Sequence, residues 1–220
     1  FRRVLFRSLV VILSLGLGIG ANTAIFSLFH QALLQRLPVQ KPEELVLLSA
    51  PADMKGGRTS TGNPGGLDMV FSYPMFRELE QNPNGLTGLA GYRTYSANLS
   101  YEGRTLSGEV LMVSGGYFPL LGVRPYRGRL LDQRDDEGKG QPVAVLSYAY
   151  WKDRLGASPE VLGKPIRVNT QVFSIVGVAP EGFKGVAFGD EQNVFVPLAF
   201  KPAVTPGWDG TSNWTDYHLY

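Results

Sequence analysis

Apolar residues fill positions 9–29 almost without a break, LVVILSLGLGIGANTAIFSLF, and none of these 21 residues is charged. As a helix rising 1.5 Å per residue, the segment spans about 31 Å, the thickness of one hydrocarbon core. Asn22 and Thr23 are its polar exceptions, and inside lipid their side chains need partners on this helix or a neighbouring one. A cleaved signal peptide has a shorter apolar region, about 7–15 residues, ending at a small-residue site. Here the run passes through Gly20-Ala21 and resumes at Ala24-Ile25-Phe26, so a retained transmembrane helix is expected. Residues 30–37 read as its extension, stopped by Pro38.

Beyond Pro38 the pattern shortens. Residues 44–48 read as a first strand, and 51–66, rich in Gly, Ser, Thr and Pro, as a loop. Ser72 is placed to cap a helix over 73–81, with Pro74 in its first turn and Asn82-Pro83 at its end. Residues 89–101 and 104–113 form strands joined by a turn at Glu102-Gly103, and 117–121 a short helical turn. The all-apolar 143–146 reads as a buried strand. Ser147 then caps a helix over 148–155 that stops at Gly156. Residues 166–168 and 172–178 make a hairpin about Asn169-Thr170, and 194–196 a short strand before Pro197. The fold class is α+β: one N-terminal transmembrane helix, then hairpins and short helices. The acidic segment 132–139 reads as a solvated turn and as a seam between two lobes.

Composition removes several chemistries. With no cysteine among 220 residues, disulfides, zinc-thiolate sites and thiol nucleophiles are excluded. A net charge of +2 is too small for a nucleic-acid footprint. Residues 1–8, FRRVLFRS, are also the translation of TTC AGA CGT GTG CTC TTC CGA TCT, a sequencing-adapter string, and are expected to be an artefact fused to a gene fragment. Without Arg2, Arg3 and Arg7 the net charge falls from +2 to −1. With those arginines, the positive-inside bias puts the N-terminus in the cytoplasm; without them sequence physics does not orient the helix.

No motif builds a reaction centre. Gly16, Gly18 and Gly20 lack the G-x-G-x-x-G spacing, the preceding strand and the acidic partner of a dinucleotide site. They fit helix packing instead, with Gly16 and Gly20 as a small-xxx-small face, and Gly16, Gly20, Asn22 and Thr23 are the candidate packing residues. The acidic segment has Arg134 and Glu137 where a calcium loop needs Asp or Asn and Gly. Gly163-Lys164 is followed by Pro165, so there is no phosphate loop. His30 and His218 are the two histidines and are poorly placed for a triad or a metal site. No catalytic, cofactor-binding or metal residue is assigned. Trp208, Trp214 and Tyr217 are read as core or interface aromatics rather than a binding platform.

The helix sequence Leu15-Gly16-Leu17-Gly18-Ile19-Gly20-Ala21-Asn22-Thr23-Ala24-Ile25-Phe26-Ser27 resembles the first transmembrane helix of MacB/FtsX-like ABC permeases, closest to their large duplicated branch. Phe71-Ser72-Tyr73-Pro74-Met75-Phe76, Val113-Ser114-Gly115-Gly116-Tyr117-Phe118, Gly128-Arg129, Val143-Ala144-Val145-Leu146-Ser147-Tyr148 with Trp151, and Val176-Gly177-Val178-Ala179-Pro180-Glu181-Gly182-Phe183 fit the same family in order and spacing. The resemblance covers residues 9–220. It implies a transmembrane helix with its extension over 9–37 and a two-lobed MacB-like periplasmic core domain over 38–220, incomplete at the C-terminus. It further implies a cytoplasmic N-terminus in the bacterial inner membrane, more helices downstream, and a dimer with a second permease copy. ATP is expected on a partner ABC ATPase rather than on this chain, and a periplasmic adaptor is a further expected partner. The leading expectation is therefore a non-enzymatic permease fragment coupling ATP hydrolysis elsewhere to export or mechanical work. A singly anchored periplasmic sensor or ligand-binding module is the alternative, and an anchored hydrolase lacks a visible constellation.

Overall fold

The computed structural model describes residues 2–29, 39–48, 71–83, 85–138, 140–186, 191–205, 212 and 217–219. They fall into two units, Phe1–Leu37 and Pro38–Tyr220. The first contains α1, Arg2–Phe29. Its span Val10–Ser27 is long and apolar enough to cross a membrane. Val10, Leu13, Leu17, Ile19 and Ile25 are all exposed. A helix apolar all round has no stable place in water without a partner or a bilayer. The expected extension over 30–37 and the loop over 51–66 lie outside the described residues.

In the second unit the expected strand at 44–48 does not form. A 3₁₀ turn, Pro42–Glu44, occupies its start, with Leu45 N–H donating to the Pro42 carbonyl at 3.3 Å. Val46 and Leu47 remain exposed and have no ladder partner among the described residues. An apolar run fits a strand only where a neighbouring edge receives it, and Pro42 in a first turn favours the tighter helix.

The other predicted strands assemble into a closed ring. β2 (Tyr92–Tyr101) pairs antiparallel with β3 (Arg104–Val113) along its whole length. β3 pairs in parallel with β8 (Val194–Pro197), and β8 antiparallel with β5 (Val143–Leu146). β5 runs parallel to β7 (Gln171–Val178), which forms a hairpin with β6 (Pro165–Val168). β6 returns to β2 through Leu99 with Val168 and Ser100 with Arg167, closing the circuit. β4 (Arg127–Gly128) lies outside the circuit on β7. β1 (Phe71–Ser72) and β9 (Tyr217–Leu219) form a separate antiparallel pair. Strands from both sides of 132–139 thus interleave in one sheet, so that segment is not a seam. The β1–β9 pair is a sheet of its own within this unit.

Alternation along the strands separates two cores. Ala97, Leu99, Val110, Met112, Ala144, Leu146, Ile166, Val168, Phe173, Ile175, Val194 and Val196 come from all six ring strands and fill its interior. Leu111, Val113, Val143, Val145 and Phe195 point outward from β3, β5 and β8. There they are covered by Phe183 and by Tyr117, Phe118 and Leu121 of α3 (Tyr117–Leu121). β5 and β8 are buried on both faces, which is why 143–146 carries no polar residue.

Helix boundaries follow the predicted caps. α2 (Tyr73–Gln81) starts where the Ser72 hydroxyl accepts from Met75 N–H, and stops at Asn82. α4 (Tyr148–Arg154) starts where buried Ser147 accepts from Tyr150 N–H at 3.2 Å. Ser147→Ala is expected to cost about 1 kcal/mol, the usual worth of an N-cap. Denaturant unfolding of the full chain in detergent checks this. The Asn169-Thr170 turn forms with Asn169 at φ 52, a conformation Asn tolerates better than most residues. Asn169 also ties the hairpin down, accepting from Asn98 N–H and donating to the Val204 carbonyl of α5 (Lys201–Val204), both at 2.9 Å.

Candidate functional site

On α1 the four candidate packing residues do not share one face. At about 100° per residue, Gly16, Gly20 and Thr23 lie within an arc of about 60°. Asn22 projects from the other side, near Gly18. A methyl group added to Gly16, Gly18 or Gly20 would meet no atom within 4 Å, so all three surfaces are open. Thr23 Oγ1 donates to the Ile19 carbonyl at 2.8 Å, which satisfies the hydroxyl on its own helix. The Asn22 carboxamide has no hydrogen bond among the described residues.

In the Pro38–Tyr220 unit the charged chemistry gathers at the acidic segment, and here the expected solvated turn is corrected. Gln133–Glu137 is a 3₁₀ turn closed by a capping box between Asp132 and Asp135. Asp135 and Asp136 are both buried. Asp135 receives a two-pronged bond from Arg129, Nη1 to Oδ2 at 2.6 Å and Nη2 to Oδ1 at 2.8 Å. Among the described residues, the hydrogen bonds of Asp136 come from backbone rather than from a cation. Its Oδ1 accepts from Ala199 N–H at 2.8 Å and its Oδ2 from Gly115 N–H at 3.2 Å. Burial pushes its carboxyl up to about 6, against the pull of the two N–H groups and of Arg77, with the Glu80 charge adding to the rise.

The Ser114-Gly115-Gly116-Tyr117 run is what this packing requires. Ser114 Oγ accepts from Gly91 N–H at 3.0 Å, and Tyr117 Oη accepts from Val186 N–H at 3.1 Å. A methyl group on Gly115 would stand 2.5 Å from Gln133 Cα, and one on Gly116 2.8 Å from the Leu89 carbonyl. The buried roles of Asp135 and Asp136 were missed in the sequence, although Asp132 three positions before Asp135 is the spacing of a capping box. His30, Trp208 and Trp214 lie outside the described residues. Among the described residues no group of three or more His, Asp or Glu is arranged to hold a metal ion.

The family model of the MacB-like periplasmic core domain matches residues 8–215. The chain belongs to this family. Among curated relatives, the macrolide export ATP-binding/permease protein MacB 2 of Aeromonas hydrophila is 26% identical over 147 residues. That match takes in 67% of this chain and 21% of the relative's length. Among solved structures, the extracellular domain of the noncanonic ABC-type transporter YknZ from Gram-positive bacteria superposes with a TM-score of 0.54 at 18% identity, covering 78% of each chain. The periplasmic region of MacB from Actinobacillus actinomycetemcomitans gives a TM-score of 0.48 at 20% identity over 60% of this chain and 59% of that one. The MacB-like assignment carries the fold: an N-terminal apolar helix followed by a mixed helix-and-strand domain of the periplasmic type. YknZ is named as an ABC-type transporter and the Aeromonas relative as an ATP-binding/permease protein.

Proposed function

We propose that this MacB-like chain belongs to an ABC permease subunit that couples ATP hydrolysis on a partner ATPase to export or mechanical work across the bacterial inner membrane. The carrying observation is a family match over residues 8–215 joined to a single exposed apolar helix among the described residues. The fold itself supports a mechanical rather than a catalytic role. Its buried charges tie turns together, and six of its strands close into one hydrogen-bonded circuit. In this reading ATP is held by the partner, a second permease copy completes a dimer, and a periplasmic adaptor is a further partner.

Purification of the tagged chain from its native membrane tests the reading. An ATPase is expected to co-purify, and its ATP turnover in proteoliposomes is expected to depend on this chain. Isolation without an ATPase, with ligand-dependent signalling instead, would favour the anchored sensor.

The helix faces add a second expectation. Gly20→Leu fills the open Gly16–Gly20–Thr23 face and is expected to weaken dimer assembly at least tenfold, read by crosslinking in membranes. Wild-type assembly in that variant would remove the packing role from this face.

A further inference from the structure

The fold buries two adjacent carboxylates and treats them differently. Asp135 is held by Arg129, so a cation balances its charge in the same contact. Asp136 is 5% exposed and is met by two neutral backbone N–H groups from separate stretches of the chain. One belongs to the β3–α3 turn at Gly115, and the other to the 3₁₀ turn Leu198–Phe200 at Ala199. Burying an ion without a contacting counter-ion is costly, and a neutral side chain would hold two turns together at lower cost. What a carboxylate offers in addition is a bond strength that depends on protonation.

We propose that Asp136 is a proton-operated joint, at which uptake of one proton loosens the tie between Gly115 and Ala199 while the folded domain as a whole becomes harder to unfold. The two effects have separate causes. A carboxylate accepts hydrogen bonds roughly twice as strong as those a neutral carboxyl accepts, and a protonated oxygen turns one acceptor into a donor facing an N–H. Locally, the tie weakens. Globally, the sign is opposite. The carboxyl titrates near 6 in the folded chain, above its ordinary value of 3.8, so the folded state holds the proton more tightly than the unfolded one. Stability therefore rises as pH falls from about 6 towards 4 and is lower above that window.

Charged groups around the joint come from each neighbouring element. α2 brings Arg77 and Glu80, paired to each other at 2.5 Å, and Tyr73, whose hydroxyl is raised first by burial and then by Asp136. The Gln133–Glu137 turn itself carries Arg134, Asp135 and Glu137. Lys201, buried two positions beyond Ala199, has interactions of its own. The β3–α3 turn contributes no titratable side chain near Gly115.

The test is a titration of the full chain in detergent micelles by NMR. It follows the Asp136 carboxyl carbon, the protection factors of the Gly115 and Ala199 amides, and the melting temperature on the same samples. Between pH 7 and 5 the carboxyl is expected to titrate. At least one of the two protection factors is expected to fall about tenfold, after correction for intrinsic exchange, while the melting temperature rises. Glu80→Gln is expected to lower the midpoint and Arg77→Gln to raise it, and Asp136→Asn to remove the pH dependence. A carboxyl that titrates below pH 5 would overturn the proposal. So would protection that stays constant or follows the melting temperature, or a midpoint unmoved by both α2 variants. If Asp136→Asn fails to fold, the wild-type titration and the α2 variants still decide.

Discussion

Gly177→Ala is expected to prevent stable folding of the Pro38–Tyr220 unit. At this position β4 lies against β7 with Gly128 opposite Gly177, and the β5–β7 register slips between Ala144 and Val145. Tyr126 N–H donates to the Val178 carbonyl at 2.9 Å and Arg129 N–H to the Val176 carbonyl at 3.0 Å, pinning both sides of the crossing. A methyl group on Gly177 would collide with the Arg129 carbonyl oxygen, and would stand 2.8 Å from its carbon and 3.1 Å from the Arg127 oxygen. All three are backbone atoms, so no rotamer relieves the clash. Separating the strands would break the two pinning hydrogen bonds. The cost is expected to exceed about 3 kcal/mol, the upper range for overpacking, out of a typical total of about 5–15 kcal/mol. Circular dichroism and denaturant unfolding of the full chain in detergent read the outcome. A variant folded within about 1 kcal/mol of the parent would show that β4 can move away.

Phe195→Ala carries the next largest effect. Phe195 is the outward residue of β8 and is fully buried. Its ring stands edge-on to Phe118 of α3 at 5.3 Å and tilted to Phe183 at 5.8 Å, and those two rings contact each other at 5.9 Å. This three-ring cluster is what fastens α3 and the segment after β7 to the outside of the ring. Truncation removes the common member and leaves a cavity between two aromatic rings held by other contacts. A loss of about 3–5 kcal/mol is expected. Phe195→Leu retains some of the volume and is expected to lose less. Equal urea midpoints for Phe195→Ala and the parent would mean that the outer layer collapses onto the gap.

Much of this fold was legible because local chemistry and tertiary packing agree. Ser72 and Ser147 start their helices where their hydroxyls predict, and Asn169 takes the turn that its tolerance of positive φ allows. The 143–146 strand announced two buried faces by having no polar residue. Ring closure was not legible, since it rests on Leu99 and Ser100 meeting Arg167 and Val168 across the sheet, and no local pattern encodes that pairing. The strand expected at 44–48 failed for the same reason, since an apolar run does not say whether an edge is available. On α1, the split between the Gly16–Gly20–Thr23 face and Asn22 followed once the helix was built. The buried carboxylates were not legible, because a run of acidic residues has the composition of a solvated turn whether or not backbone N–H groups await it.

The pairing of β1 with β9 has a mechanical consequence. Phe71 stands opposite Leu219 and Ser72 opposite Tyr217, so the ring strands lie between two segments that are neighbours in space. Because the pair is antiparallel, the chain enters β1 and leaves β9 at the same end. Tension that draws both connections the same way carries the ring along as a passive load, with no stress across its own hydrogen bonds. Tension that draws them apart meets the β1–β9 ladder in the unzipping direction, where the bonds break in succession rather than together.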